Sequence, residues 1–180
     1  MFYKMFYSNI QNSIIQLMPV LKLREITGRS QGLIACMPKT GSTFLKKKLF
    51  CLENVKLASY RNNFYRTEQE LEDDHIRKVY LRNFNSDLIA QHHVRCNTNT
   101  TQLINKYKLK TIVLTRNIKD ILVSMSEHVE NTSPVWPMYY LDEIILKEIR
   151  SNDRSVLSAV TALCTPWLIS FYLSWKKESK

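Results

Sequence analysis

A short segment, Pro38 to Thr43, combines a positive charge, a glycine and several hydroxyl groups. Lys39 supplies the charge, and Gly41 allows the backbone to turn tightly. The hydroxyl groups belong to Thr40, Ser42 and Thr43. A helix that begins directly after the turn would add unpaired backbone N–H groups, which bind anions. The segment therefore predicts an anion-binding loop, and a strand-to-helix turn closed by a Ser or Thr cap is the alternative.

The order of these residues differs from that of the phosphate loop of kinases and NTPases. That loop, G-x-x-x-x-G-K-[ST], requires a lysine directly after its second glycine. Here Lys39 precedes Gly41, and no earlier glycine lies at the required distance. The sequence also offers no clear aspartate at a strand end to hold Mg²⁺. These two features disfavour a kinase or an NTPase.

A second candidate anion site is Arg116, which follows the clearest β-branched run of the chain, Lys110 to Thr115. A guanidinium at the end of a strand presents a planar set of donors suited to a phosphate. Ser124 lies farther along the next helix and adds a hydroxyl if its face turns toward the same anion. A surface arginine and a serine inside a helix, without a ligand, are the alternative reading.

Two adjacent histidines, His92 and His93, stand at the end of another predicted strand. A neutral imidazole is the usual group for taking a proton from an attacking hydroxyl. Successive strand residues point to opposite faces, so one histidine should face the site and the other the packed interior. Cys96 lies nearby, but H-H-x-x-C offers too few ligands in suitable directions for a metal. We therefore expect a catalytic base and no metal site.

Strands and helices that alternate along the chain must position these groups. The predicted strands are Gly32–Met37, Val55–Tyr60, Asp87–Val94 and Lys110–Thr115. The predicted helices are Phe44–Cys51, Thr67–Tyr80, Thr98–Tyr107, Asn117–Val129, Met138–Arg150 and Asp153–Lys177. This alternation implies right-handed crossovers and a parallel sheet, and hence an α/β fold. Ligands of such sheets bind beyond the carboxyl ends of the strands, where the three candidate groups fall.

The composition is that of a folded domain with a positive surface. The 180 residues include 44% hydrophobic and 23% charged side chains, which argues against a disordered or collagen-like chain. The net charge of +10 favours an anionic partner. The four cysteines form no C-x-x-C pair and the N-terminus lacks a signal-peptide pattern, so we expect a cytoplasmic protein. Residues 1–30 are interpreted as an amphipathic lead-in and residues 31–180 as one domain.

An uncharged stretch, Val156 to Trp175, is long enough to cross a bilayer. Serines and threonines interrupt it, and Pro166 lies in its middle. These features favour a buried, proline-kinked helix of a soluble domain over a membrane anchor. Membrane association through residues 156–175 stays open as the alternative.

The order and content of these segments resemble the sulfotransferases that use 3′-phosphoadenosine-5′-phosphosulfate. Residues Leu33 to Leu45 are similar to the family's 5′-phosphosulfate-binding loop, a strand followed by P-K-[ST]-G-[ST]-[ST]-aromatic-hydrophobic. Residues Thr111 to Asp120, with Ser124, resemble its 3′-phosphate-binding element, a strand followed by R-[ND]-P-x-D and a later serine. The resemblance implies a P-loop-NTPase-like three-layer domain with a central parallel sheet flanked by helices.

The resemblance also implies roles in binding the nucleotide donor. Lys39 falls at the phosphosulfate bridge, and Arg116 and Ser124 fall at the 3′-phosphate. Contacts to the 5′-phosphate are expected from Thr40, Gly41, Ser42 and Thr43. Phe44 stands where the family usually has a tryptophan against the adenine, so an aromatic face is kept. Ile118 replaces a frequent proline, which should alter the start of the helix without removing a ligand.

For catalysis, His93 aligns best with the family's base, with His92 in reserve. The implied reaction transfers a sulfuryl group to a hydroxyl or an amine of an acceptor. His93 would take the acceptor proton, while Lys39 stabilises charge on the leaving phosphate oxygen. The resemblance implies no metal, and no nucleic acid is expected as a partner. The residues carry no code that separates a carbohydrate, lipid, phenol or peptide acceptor, or that sets the oligomeric state.

The resemblance covers most of Leu33 to Lys177 and lacks the C-terminal part of a family domain. A further strand and the basic loop R/K-x-x-G-x-x-G, which closes over the 3′-phosphate in the family, have no counterpart before Lys180. We therefore expect an incomplete domain. A catalytically inactive remnant that binds a nucleotide or a partner is the alternative to an active sulfotransferase.

Overall fold

Four parallel strands form the central sheet of the computed structural model, which describes residues 28–61, 70–131 and 155–178. The strands are β1 (Gln31–Cys36), β2 (Val55–Ala58), β3 (Asp87–His92) and β4 (Lys110–Leu114), in the order β2-β3-β1-β4. The described residues form five helices: α1 (Ser42–Phe50), α2 (Asp73–Arg82), α3 (Thr98–Tyr107), α4 (Ile118–Asn131) and α5 (Val156–Glu178). This three-layer arrangement confirms the predicted α/β fold class.

The central strand β1 is the most deeply buried part of the sheet. Its residues from Leu33 to Cys36, and Met37 after them, are at most 1% exposed. A strand with neighbours on both sides and helices over both faces excludes water, which suits a continuous apolar run. The strand β4 lies at an edge of the sheet and leaves Ile112 and Val113 partly exposed. The apolar run that predicts β1 therefore coincides with the centre of the sheet.

The helix α3 has the bounds that the sequence predicts, Thr98–Tyr107. At its start, the Asn97 side chain accepts a hydrogen bond from the Thr100 backbone N–H at 2.8 Å. At its end, Lys108 adopts a left-handed conformation and its N–H bonds to the last turn. Both ends are set by neighbouring residues, so local sequence is sufficient to place them.

The helix α2 begins at Asp73, later than its predicted start at Thr67, which lies outside the described residues. Glu72 is extended, and its N–H donates to the Tyr60 carbonyl at 3.0 Å. This contact joins the start of α2 to the end of β2. The helix start therefore coincides with a bond to another segment of the chain, and the acidic residues Asp73 and Asp74 occupy the first turn.

The long helix α5 packs one face on the core beside α4. That face consists of Val156, Val160, Cys164, Leu168, Phe171 and Trp175. Three hydrogen bonds tie α5 to the segment after β3, one of them from Arg95 Nη1 to Ser170 Oγ at 3.0 Å. The Trp175 indole N–H donates to the Val94 carbonyl at 3.0 Å, and the Ser174 hydroxyl accepts the Cys96 N–H at 3.0 Å. These contacts make the helix part of the domain, with Pro166 inside it.

The opposite face of α5 is apolar and exposed. It carries Leu157, Leu163, Ile169, Tyr172 and Leu173. By length and composition the helix could cross a membrane, because an 18-residue window within Val156–Lys177 has a mean hydropathy of 1.7, and 28% of that window is buried. The expectation of a buried helix therefore holds for one face of α5, and the outward face is left apolar.

Some predicted elements lie outside the described residues. They include the lead-in up to residue 27, the helix Met138–Arg150 and the predicted helix start at Asp153. Every strand predicted from the sequence falls within the described part of the chain and is present there. The predicted strand ends differ from the observed ones by at most two residues.

Candidate anion-binding site

The carboxyl ends of β1, β3 and β4 bring the three candidate segments to one edge of the sheet. The register pairs Cys36 at the end of β1 with Leu114 at the end of β4. Arg116 Nη1 donates to the Lys39 carbonyl at 3.0 Å, which links the segment after β4 to the loop after β1. His93 Nδ1 donates to the Cys36 carbonyl at 2.9 Å, which links the segment after β3 to the same loop. The three segments therefore form one site.

The loop after β1 turns through two left-handed residues, Lys39 with φ 57° and Gly41 with φ 78°. Glycine adopts this conformation readily, whereas a lysine there is strained. The Thr40 hydroxyl braces the turn by donating to the Met37 carbonyl at 2.7 Å. The helix α1 begins at Ser42, and its N-cap, Gly41, provides no side-chain cap. The structure thus shows no Ser or Thr cap at this position, and the first-turn N–H groups of α1 are of the kind that bind anions.

The remaining loop residues differ in exposure. Ser42 is 5% exposed, and its hydroxyl accepts a hydrogen bond from Gln91 Nε2 at 2.7 Å. Thr43 is exposed, and Phe44 is 67% exposed with the Lys48 ammonium 5.6 Å from its ring centroid. The loop therefore presents a hydroxyl and an aromatic face at the surface, while Ser42 faces β3.

The two adjacent histidines occupy different environments. His92 is 3% exposed, and its Nε2 accepts the Tyr60 backbone N–H at 2.8 Å. Burial lowers the pKa of His92 to about 3. His93 is half-buried at the edge of the sheet, and burial lowers its pKa as well. Because its Nδ1 donates to the Cys36 carbonyl, Nε2 is the unprotonated nitrogen of the neutral ring.

Arg116 lies at the surface between the loop and α4. Its Nη1 donates to the Lys39 carbonyl, and its Nε lies 3.6 Å from an Asp120 carboxylate oxygen. A guanidinium has five N–H donors, so these two contacts leave others for an anion. Ser124 is half-buried in the second turn of α4. The structure thus places Arg116 at the loop and Ser124 on the helix that follows it.

The helix α4 adds one residue that the sequence analysis did not single out, His128. Burial, and then the positive charge of Lys39, lowers the pKa of His128. Ser124 and His128 are four residues apart, so they share one face of α4. The positive charge of Lys39 in the loop therefore acts on the face of α4 that carries His128. The four-residue spacing is visible in the sequence, but only the packing of α4 shows what the face meets.

The structure also groups four polar residues beneath the loop, Cys36, Ser42, Gln91 and His93. The sequence analysis predicted Ser42 and His93 as site residues and did not single out Cys36 and Gln91. Cys36 Sγ lies 3.5 Å from His93 Nδ1, and the Gln91–Ser42 hydrogen bond ties β3 to α1. Burial raises the pKa of the Cys36 thiol, which stays neutral. The sequence signal for this cluster is the two-residue spacing of Gln91 and His93, since such residues share a strand face.

Positive side chains dominate the electrostatics of this edge. Arg61 and Lys46 add to the effect of burial on the pKa of His93. With Lys39 and Arg116 they create a potential that favours anions. The described ranges contain no group of three or more His, Cys, Asp or Glu side chains that could hold a metal ion.

Two surface cavities lie away from this edge. One, of about 350 Å³, is lined by polar residues at the start of α3 and the end of α5. The other, of about 320 Å³, lies at the amino ends of β1, β3 and β4. Neither contains the loop after β1, so the candidate site in the described part of the chain is distinct from both.

Comparison with known proteins gives one match. Residues 29–178 match the family model described as Sulfotransferase domain, which is well over half of the chain. The matched span includes the loop after β1, both adjacent histidines, Arg116 and Ser124. No curated protein and no solved structure matches the chain.

Proposed function

The chain belongs to the sulfotransferase domain family, and we propose that it transfers a sulfuryl group from 3′-phosphoadenosine-5′-phosphosulfate to a hydroxyl or an amine of an acceptor. The observation that carries this proposal is the contact of Arg116 Nη1 with the Lys39 carbonyl at 3.0 Å. A nucleotide with charged groups on both its 3′ and 5′ positions needs two cationic groups close together. Arg116 and Lys39 supply them at one edge of the sheet.

The loop after β1 suits the 5′ end of this donor. The N-terminus of α1 offers backbone N–H groups, and Gly41 lets the backbone approach closely. Lys39 adds an ammonium, and the exposed Thr43 adds a hydroxyl. The ring of Phe44 is accessible to the adenine.

The segment after β4 suits the 3′-phosphate. Arg116 keeps N–H donors beyond those used by Lys39 and Asp120, and a planar guanidinium binds phosphate through two parallel hydrogen bonds. Ser124 and His128 share the face of α4 on which the positive charge of Lys39 acts. Both residues belong to α4, the helix that would border the 3′-phosphate.

His93 is the proposed general base. Its Nδ1 donates to the Cys36 carbonyl, so Nε2 takes the proton of the attacking hydroxyl or amine. A lowered pKa keeps the ring neutral and ready to accept that proton at pH 7. His92 is assigned no chemical step, because its Nε2 is occupied by the Tyr60 N–H.

When bound, the donor supplies the sulfuryl group. The acceptor oxygen or nitrogen forms a bond to sulfur, and the bond from sulfur to the 5′-phosphate oxygen breaks. Lys39 and the α1 N–H groups stabilise the charge that develops on this leaving oxygen. The product is adenosine 3′,5′-bisphosphate, and no step of the proposal uses a metal. The acceptor classes proposed are carbohydrate, lipid, phenol and peptide.

A second candidate is a protein that binds the nucleotide without turnover. The exposure of Phe44 favours it, because a site that closes over its substrates excludes water and strengthens electrostatic catalysis. This candidate predicts binding of adenosine 3′,5′-bisphosphate and no sulfuryl transfer. A transfer assay with radiolabelled donor and a mixed set of acceptors separates the two.

A cytoplasmic location is also proposed. The four cysteines, Cys36, Cys51, Cys96 and Cys164, lie in the described residues and form no disulfide. Cysteines that form no disulfide are typical of a reducing compartment. Fractionation of cells that express the tagged chain tests this proposal.

The experiment that tests the function is calorimetry with adenosine 3′,5′-bisphosphate on the purified chain. Arg116→Ala should weaken binding about 10- to 100-fold, as expected for hydrogen bonds to a charged group. The matched control is Arg82→Ala, because Arg82 ends α2 at the amino edge of the sheet, away from the site. Equal affinities for the wild type and Arg116→Ala, with both proteins folded, would contradict the proposal.

A further inference from the structure

Gln91 lies on β3, two residues before His93, and contacts the start of α1. Its side-chain Nε2 donates to Ser42 Oγ at 2.7 Å. The register pairs Gln91 with Ile34 of β1, so its side chain is on the sheet face that α1 covers. This hydrogen bond connects the strand that carries the proposed base to the helix that carries the proposed phosphate loop.

The direction of this hydrogen bond decides where the Ser42 proton can go. Because Gln91 donates to the Ser42 oxygen, the hydroxyl must donate its own proton to another group. The Cys36 thiol is a neighbour of this hydroxyl, but burial raises its pKa and a neutral sulfur is a weak acceptor. A phosphate oxygen at the N-terminus of α1 is a far stronger acceptor.

Burial of the Gln91 side chain carries a desolvation cost. Its Oε1 is buried without a hydrogen-bond partner among the residues that the structure describes. An amide oxygen buried in this way lowers stability, and an apolar side chain of the same length would avoid that cost. Packing alone therefore does not explain why position 91 has an amide side chain.

We propose that Gln91 is a positioning residue, which turns the Ser42 hydroxyl proton toward the 5′-phosphate of the bound nucleotide. This inference rests on the proposed function, because it assumes that the nucleotide binds at the N-terminus of α1. Gln91 contacts neither the nucleotide nor the acceptor and acts through Ser42. Its effect should therefore require both the Ser42 hydroxyl and a 5′-phosphate on the ligand.

The test is a double-mutant cycle with Gln91→Met and Ser42→Ala. Methionine keeps the length of the side chain and removes the donor, and thermal unfolding reports whether each variant is folded. The ligands are adenosine 3′,5′-bisphosphate and adenosine 3′-monophosphate, which lacks the 5′-phosphate. Gln91→Met should weaken binding of the bisphosphate about three- to tenfold, the range for one neutral hydrogen bond, and leave the monophosphate affinity unchanged. In the Ser42→Ala background it should have no further effect.

Gln91→Glu keeps the proposal testable if methionine disturbs the fold. A carboxylate can only accept, so it takes the Ser42 proton and should weaken bisphosphate binding more than Gln91→Met does. Turnover gives an independent readout, since the KM for the donor should rise while the KM for the acceptor stays constant.

Three results would overturn the inference: an unchanged bisphosphate affinity, an equal loss for the two ligands, or an equal loss in the Ser42→Ala background. These differ from failure of the proposed function, in which the wild type itself binds neither nucleotide.

Discussion

Substitution of the two adjacent histidines by phenylalanine should have different effects, mainly on stability at His92 and mainly on kcat at His93. His92→Phe removes the acceptor of the Tyr60 N–H, and Tyr60 is fully buried. A buried donor left without a partner costs about 1–3 kcal/mol, and removal of the buried, unsatisfied His92 Nδ1 offsets part of this cost, so the free energy of unfolding at pH 7 should fall by at most about 3 kcal/mol. His93→Phe should cost less stability and lower kcat about 100-fold or more, because it removes the proposed general base.

The loss of folding stability at acidic pH can be calculated from the pKa of His92. Burial lowers the pKa of His92 to about 3, whereas a histidine in the unfolded chain has a pKa of about 6.5. Between these values the unfolded state binds a proton that the folded state does not, so stability is lost as the pH falls below 6.5. At pH 5 the loss attributable to His92 is about 2 kcal/mol, since each pH unit below 6.5 contributes about 1.4 kcal/mol. His93, with a lowered pKa, adds a loss of the same sign.

Urea unfolding of the wild type and the two variants at pH 7 and pH 5 measures these effects. His92→Phe cannot bind the proton, so the stability gap between it and the wild type should narrow by about 2 kcal/mol at pH 5. Initial rates of sulfuryl transfer, measured at pH 7 on the same preparations, should fall with His93→Phe. A gap that stays constant between the two pH values would refute the argument from burial. Loss of kcat in a stable His92→Phe and not in His93→Phe would refute the division of roles.

The remaining predictions concern the loop and its aromatic neighbour. Lys39 and Lys108 both have left-handed backbones, and glycine at either position should raise the free energy of unfolding by about 0.5–1 kcal/mol, because relief of strain exceeds the added entropy of the unfolded chain. Urea unfolding measures the stability of both variants. Calorimetry should show that only Lys39→Gly weakens the binding of adenosine 3′,5′-bisphosphate, by about tenfold or more. Equal binding by the two variants would exclude Lys39 from the site. Phe44→Ala should weaken the bisphosphate about fivefold or more through lost stacking, at unchanged melting temperature, whereas Phe44→Trp should retain or improve binding. Fluorescence titration checks both Phe44 variants, and an Ala variant with wild-type affinity would remove Phe44 from the adenine site.

Much of the fold follows from local patterns. The strand β1 coincides with a continuous apolar run, and β4 with a β-branched run, so their periodicity and composition are sufficient. The helix α3 starts at an Asn97 cap that the sequence displays. The start of α2 is different, because the bond from Glu72 N–H to the Tyr60 carbonyl joins segments that are distant along the chain. No local pattern reports such a contact.

The exposed face of α5 is a second feature that local sequence does not predict. Its uncharged sequence is compatible with burial all round or with a membrane, and composition cannot choose between them. The face that contains Val156 and Trp175 packs on the core, whereas Leu163 and Leu173 are exposed. Which face is buried depends on where α4 and the end of β3 lie.

The sequence by itself determined the types and order of the groups that make the candidate site. A lysine and a glycine after one strand, a pair of histidines after a second and an arginine after a third must meet, since parallel strands end at one edge of the sheet. Only the tertiary structure decided which histidine faces that edge, because alternation along a strand leaves two equivalent choices until packing fills one side. It also decided that Gln91 meets Ser42, a contact between residues far apart in sequence. Such contacts depend on strand register and helix placement, which no local pattern of residues encodes.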